Sequence, residues 1–282
     1  MPIPGELDDG APHVIFVPSA GMAHLVPFFR FITALSGHGV DCSVVTVLPT
    51  VSAAEANHLA GLFTAFPRIH RVDFNLLPFD ASAFPGADPF LLRWEALRRS
   101  AHFLGPLIAG TTPRVSAVVT GVTIASHVVP IAKELRVPCH VLFISSAAML
   151  SLVAYFPIHL NSKARELDVD IPGVRYVPRS CLPQPLLNLN NLFTKQFIDN
   201  GREIIKADGI LVNTFDTLEP VALAALRDGK VILGFPPVYT VGLLKSNSPA
   251  AIEKAETANS PVAWLEGQPA CTCVRQPHRR EP

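Results

Sequence analysis

The segment Pro18-Ser-Ala-Gly-Met-Ala-His24-Leu-Val-Pro27 has the makings of acid–base chemistry. It follows a β-type run, His13 to Val17, and leads into a helical pattern from Ala23 to Leu35. His24 is thus expected at a helix entry, beyond the carboxyl end of a strand, with Pro27 read in the first helical turn. The positive end of the helix dipole disfavours imidazolium and favours the neutral ring that a general base requires. The plainer role for such a histidine is to satisfy the helix terminus. Ser145 and Ser146 occupy a second strand–helix junction, where hydroxyls serve as helix caps or as ligand contacts alike. No His/Asp/Glu cluster has metal-ligand spacing. A Gly-x-Gly-x-x-Gly after the first strand and a Gly-x-Ser-x-Gly are both missing, which excludes the common dinucleotide-binding and serine-hydrolase patterns.

The elements that must position these residues alternate along the chain. Cys42 to Leu48 reads as a strand, and Ser52 to Phe63 as a helix with Ser52 and Glu55 spaced as a capping box. Val72 to Leu77 follows as a strand. Asp88-Pro89 opens a helix, with Asp as N-cap and Pro at the first position. From there Phe90, Trp94, Leu97, Ala101, Leu104 and Ile108 form one continuous apolar stripe, with Arg93, Arg98 and Arg99 off it. Val115 to Thr120 is a strand, Ser126 to Leu135 a helix and Gly209 to Asn213 a strand; Asp199 to Lys206 is read as a solvated helix face. Strands that are apolar without clean alternation suit a parallel sheet covered on both faces. Repeated β-α-β units give an α/β, Rossmann-like doubly wound fold, whose ligands sit beyond the carboxyl ends of the strands.

Equal counts of Lys plus Arg and Asp plus Glu, 23 each, announce no nucleic-acid partner. Val137 to Ser162 lacks Asp, Glu, Lys and Arg, long enough to span a bilayer, yet prolines and histidines interrupt it; a buried strand and a buried helix are expected instead. The start of the chain lacks the pattern of a secretory signal, and five scattered cysteines suit reduced thiols, so a cytoplasmic protein is expected.

Five segments, in order, resemble the plant UDP-sugar-dependent glycosyltransferases. They are Pro18 to Phe28, Val45-Thr-Val-Leu-Pro-Thr50, Phe143-Ile-Ser-Ser-Ala-Ala-Met-Leu150, Asp170-Ile-Pro-Gly173 and Val212-Asn-Thr-Phe-Asp-Thr-Leu-Glu219. Leu77-Pro-Phe-Asp-Ala-Ser-Ala-Phe-Pro-Gly-Ala-Asp88 resembles more particularly the grass flavonoid C-glycosyltransferases. The resemblance implies the GT-B arrangement of two Rossmann-like domains, the first binding the acceptor and the second the UDP-sugar. It implies that His24 takes a proton from a flavonoid or related phenolic acceptor, which attacks the anomeric carbon in line, through carbon or oxygen, as UDP leaves and the configuration inverts. UDP-sugar would be a co-substrate; no metal or other cofactor, no membrane span and a monomeric complete enzyme are implied. Ser145 and Ser146 match a place where the family touches its ligands. Ser19, Phe90, Phe193 and Phe197 are expected to wall the acceptor, since flat phenolics favour aromatic walls.

The chain departs from that pattern twice. An Asp just after the Val115 to Thr120 strand normally orients the histidine; here that place is Gly121, and no Asp or Glu lies between Gly110 and Lys133. The family's sugar-nucleotide signature is missing. After Trp264-Leu-Glu-Gly-Gln-Pro-Ala270 the chain reads Cys-Thr-Cys-Val-Arg-Gln, as a shifted reading frame or an alternative splice would give. Residues 1–244 are therefore expected to form the acceptor domain, 245–270 a linker and 271–282 an aberrant tail. The expected function is that of a truncated, inactive transferase, or alternatively a phenolic-binding module or a non-functional gene product.

Overall fold

The computed structural model describes residues 11–80, 82, 84, 86, 88–162 and 168–244. The linker and tail expected at 245–282 lie outside them.

The described chain runs β1 (His13–Val17), α1 (Met22–Gly37), β2 (Asp41–Leu48), α2 (Ala53–Ala65), β3 (Ile69–Asn75), α3 (Pro89–Ser100), α4 (Leu104–Ala109) and β4 (Ala117–Gly121). It continues through α5 (Ala125–Glu134), β5 (Cys139–Phe143), α6 (Ala147–Ser162), the short strands β6 (Val169–Ile171) and β7 (Arg175–Val177), α7 (Leu192–Ile204), β8 (Gly209–Val212), α8 (Pro220–Arg227) and β9 (Val238–Thr240). Seven strands form one parallel sheet in the order β3-β2-β1-β4-β5-β8-β9, while β6 and β7 pair as an antiparallel hairpin. Consecutive strands step outward from β1 in one direction and from β4 in the other. The order therefore reverses between β1 and β4, where α/β sheets open a crevice beyond their strand ends.

Strand pleating sorts the apolar residues into two cores. Phe16, Val44, Val119 and Leu142 meet Leu25, Phe28, Ile32 and Leu59 of α1 and α2. Ile15, Val17, Val118, Val141 and Val212 face the other way, against Trp94, Val128, Leu150 and Ile204 from α3, α5, α6 and α7. Coverage on both faces explains why these strands lack polar alternation. Phe16, Phe28 and Ile32 are completely buried, and truncating either phenylalanine to alanine would cost about 3–5 kcal/mol.

The apolar stretch from 137 becomes β5 followed by α6, and no helix among the described residues is long and apolar enough to cross a membrane. Two helical expectations are revised. The stripe from Phe90 to Ile108 is broken: α3 ends at Ser100, and a 3-10 turn over Ala101–Phe103 separates it from α4. Leu97, Leu104 and Ile108 still reach the core because a tighter turn rotates the second helix back onto the sheet. Pro27 lies inside α1 rather than in its first turn, since the helix already begins at Met22. Within the segment read as a solvated face, Asn200 and Ile204 are buried; the Asn200 carboxamide bonds the backbone of Thr123 and Ser126 and so ties α7 to the end of β4.

Candidate active site

A cavity of about 550 Å³ opens beyond the carboxyl ends of β1, β2 and β4. Its floor is the loop Pro18–Leu25, one side is β2 and α2, another is α3, and Thr123, Ile124, Pro185, Asn191, Phe193 and Gln196 close it. The lining is mostly apolar, with a few polar groups, as ligand sites usually are.

His24 belongs to this wall, in the first turn of α1. Its backbone N–H donates to the Gly21 carbonyl at 3.0 Å, and Gly21 holds φ 94°, a conformation open to glycine. Burial lowers the imidazole pKa below its ordinary value, so the ring is neutral at physiological pH and able to accept a proton. Phe90 stands directly over Gly21: a Cβ there would lie 2.8 Å from its ring. The ring is half exposed and lines the cavity, so Phe90 lies outside the core. Asp88 fixes that helix start, its Oδ1 accepting from the Phe90 N–H at 2.8 Å.

Ser19 and Phe193 also line the cavity. Phe197 does not: it is buried in the core, edge-on to Phe156 at 5.6 Å, because α7 turns it one helical turn away from Phe193 toward the sheet. Ser145 and Ser146 are likewise outside the cavity, both exposed beyond β5. Ser146 acts as a helix cap, accepting from Met149 N at 3.1 Å, while Glu219 receives the N–H groups of Ala147 and Ala148. Gly121 ends β4 beneath Ser19, and its missing side chain leaves the room that the Ser19 hydroxyl occupies.

Several wall residues escaped the sequence reading. Thr46, Trp94, Gln196, Glu55 and Arg93 all line the cavity. Trp94 was legible only as a stripe residue and Arg93 only as an off-stripe charge. Glu55 was read as half of a capping box, and half of the box forms: Ser52 Oγ accepts from Glu55 N at 3.2 Å. The Glu55 carboxylate turns inward instead, accepting from Gly21 N at 3.2 Å and facing the Arg93 guanidinium at 3.9 Å. Arg93 in turn donates to the carbonyls of Val47 and Pro49. Behind the wall Trp94 tilts against His127, ring centroids 5.4 Å apart. Burial, aided by the charge of Arg98 and opposed by Glu95, pushes His127 down to about 4.

No family model matches the chain. A rice protein (Oryza sativa subsp. indica) named UDP-glycosyltransferase CGT is 55% identical over 279 residues, covering 97% of this chain and 58% of its own. UDP-glycosyltransferase 708A6 of Zea mays is 51% identical over 281 residues, covering 96% and 58%. Among solved structures, LpCGTa in complex with UDP is 43% identical and superposes with a TM-score of 0.78 over 92% of this chain and 57% of its own. A UDP-glucosyltransferase from Polygonum tinctorium, capable of glucosylating indoxyl, is 27% identical with a TM-score of 0.75. The chain spans a little under three-fifths of the length of these relatives.

Proposed function

Because the chain belongs to the plant UDP-glycosyltransferase family, we propose that its described residues form the acceptor side of a sugar-transfer site, with His24 as general base. The carrying observation is a neutral, desolvated histidine in the wall of an apolar cavity beyond the strand ends at the switch between β1 and β4. A flat phenolic acceptor lies between Phe90, Phe193 and Trp94. His24 takes a proton from the acceptor, whose carbon or oxygen forms a bond to the anomeric carbon of a UDP-sugar. The bond from that carbon to the UDP oxygen breaks, UDP departs with the electron pair, and in-line attack inverts the anomeric centre. General-base assistance of this kind contributes about 10²–10⁴-fold. The exposed hydroxyls of Ser145 and Ser146 remain the candidates for touching the UDP-sugar.

Calorimetric titration of a hydroxylated flavanone into the full chain tests the acceptor side. One binding site is expected, weakened by Phe90→Ala and by Phe193→Ala. Absence of binding, or binding indifferent to both changes, overturns the assignment.

One observation favours a second reading, a phenolic-binding module without transfer. The position that the resemblance assigns to an orienting carboxylate is Gly121, and Ser19 fills the space beside it. Binding without any transfer activity, in a chain joined to the remaining part of the rice relative, would support that reading.

A further inference from the structure

The buried carboxylate of Glu55 has left its ordinary place. As the third residue of α2 it is set to reach back to the Ser52 N–H at the solvent edge, completing a capping box. It is instead 3% exposed and directed at the first turn of a different helix. Removing a carboxylate from water is costly, and a buried ion pair is weak evidence of added stability, so its placement invites a positional explanation.

Its contacts form one continuous linkage. The Arg93 guanidinium is held by the carbonyls of Val47 and Pro49 at the end of β2 and faces Glu55 Oε1 at 3.9 Å. Glu55 Oε2 accepts from Gly21 N at 3.2 Å. The Gly21 carbonyl then accepts from the N–H groups of His24 at 3.0 Å and Leu25 at 2.9 Å. Arg93, Val47, Glu55, Gly21, His24 and Leu25 of this series line the cavity, and α1, β2, α2 and α3 each contribute to it. Gly21, at φ 94° with no side chain, has no rotamer packing of its own to fix it, and the Glu55 bond is the side-chain anchor of its amide N–H.

We infer that Glu55, braced by Arg93, is a positioning residue that holds the Gly21 peptide and through it sets where His24 stands in the cavity. This rests on the reading of His24 as the base at an acceptor site. A hydrogen bond to the amide is the operative contact; the charge of Glu55 serves to compensate Arg93.

The test uses the full chain and two readouts. The first is the NMR titration of the His24 imidazole; the second is the affinity for a hydroxylated flavanone by calorimetry. Glu55→Ala should raise the His24 pKa toward its ordinary value, as water enters beside a loosened loop, and weaken the flavanone by about fivefold, the worth of one hydrogen bond. Glu55→Gln keeps an oxygen for Gly21 N and should leave both readouts near the parent, while its melting temperature falls because Arg93 is left uncompensated. Leu226→Ala, in the core of α8 away from the cavity, controls for general destabilisation. Should Glu55→Ala not fold, Glu55→Asp, one methylene short of reaching Gly21, takes its place. The inference is overturned if the shortened variant leaves both readouts unchanged, if Leu226→Ala moves them equally, or if Glu55→Gln behaves as Glu55→Ala does. Failure of the unaltered chain to bind flavanone would instead count against the acceptor reading, and the His24 titration would still decide the role of Glu55.

Discussion

Ser19 fills the room that a side chain at position 121 would need. A Cβ on Gly121 would overlap the Ser19 hydroxyl and stand 3.1 Å from both the Ser19 Cβ and its backbone nitrogen. That hydroxyl is fully buried and without a hydrogen-bond partner among the described residues. A carboxylate therefore cannot simply be placed at position 121. Gly121→Asp alone should lose about 1–3 kcal/mol of stability, the usual cost of overpacking. Ser19→Gly combined with Gly121→Asp should recover part of that loss. Urea denaturation of the two single variants and the double gives the coupling; a value under about 0.5 kcal/mol would mean the positions do not compete.

The same pair bears on catalysis when the chain is joined to the remaining part of the rice relative. His24→Ala should lower transfer by about 10²–10⁴-fold while changing flavanone affinity little. Ser19→Gly with Gly121→Asp should raise the rate, because a carboxylate then orients the ring and steadies the imidazolium. Single-turnover kinetics on UDP-glucose and flavanone would measure both. Equal rates with and without His24 would reduce that residue to a helix-entry histidine.

Much of this site could be read in the chain before any coordinates. Strand runs such as His13 to Val17, punctuated by Gly and Pro, announced the parallel sheet, and the loop after β1 located His24, because strand ends and helix starts leave local signals. Phe193 and Phe197 show where that stops. Both lie on the same face of α7, and only the one-turn step along the helix axis decides that Phe193 lines the cavity while Phe197 packs on Phe156 in the core. Glu55 and Arg93 were invisible for a related reason: their partners lie 34 and 44 residues away, and a capping-box spacing offered a nearer partner. Long-range hydrogen bonds leave no periodicity.

His127 should make the fold acid-sensitive. Its pKa of about 4 lies below the ordinary 6.5, so the unfolded chain binds the proton more tightly than the folded one. Acid therefore favours unfolding, with the penalty starting below pH 6.5 and complete near pH 4. Between pH 7 and pH 5 this residue alone should cost about 2 kcal/mol. His127→Phe retains a ring against Trp94 and removes the titration, so the gap between denaturation midpoints at the two pH values should narrow. An unchanged gap would place the acid sensitivity elsewhere.

Gly21→Ala should be damaging for two separable reasons. The new Cβ lies 2.8 Å from the Phe90 ring, and φ 94° is strained for any residue with a side chain. About 1–3 kcal/mol of stability should go, together with flavanone affinity, as the ring is displaced. Adding Phe90→Ala should relieve the overlap but not the backbone strain, so only part of the stability returns. Thermal melts of the three variants separate the contributions.

The parallel sheet sends all seven strands toward one rim, yet the cavity draws on only half of it. Its lining comes from the turns after β1 and β4, from the end of β2 and from α1, α2, α3 and α7, with nothing from the turns after β5, β8 or β9. The cavity wall and the opposite half-rim are thus structurally separate. Substitutions at the cavity ends of α3 and α7 can alter the cavity wall while leaving the loops after β5, β8 and β9 untouched.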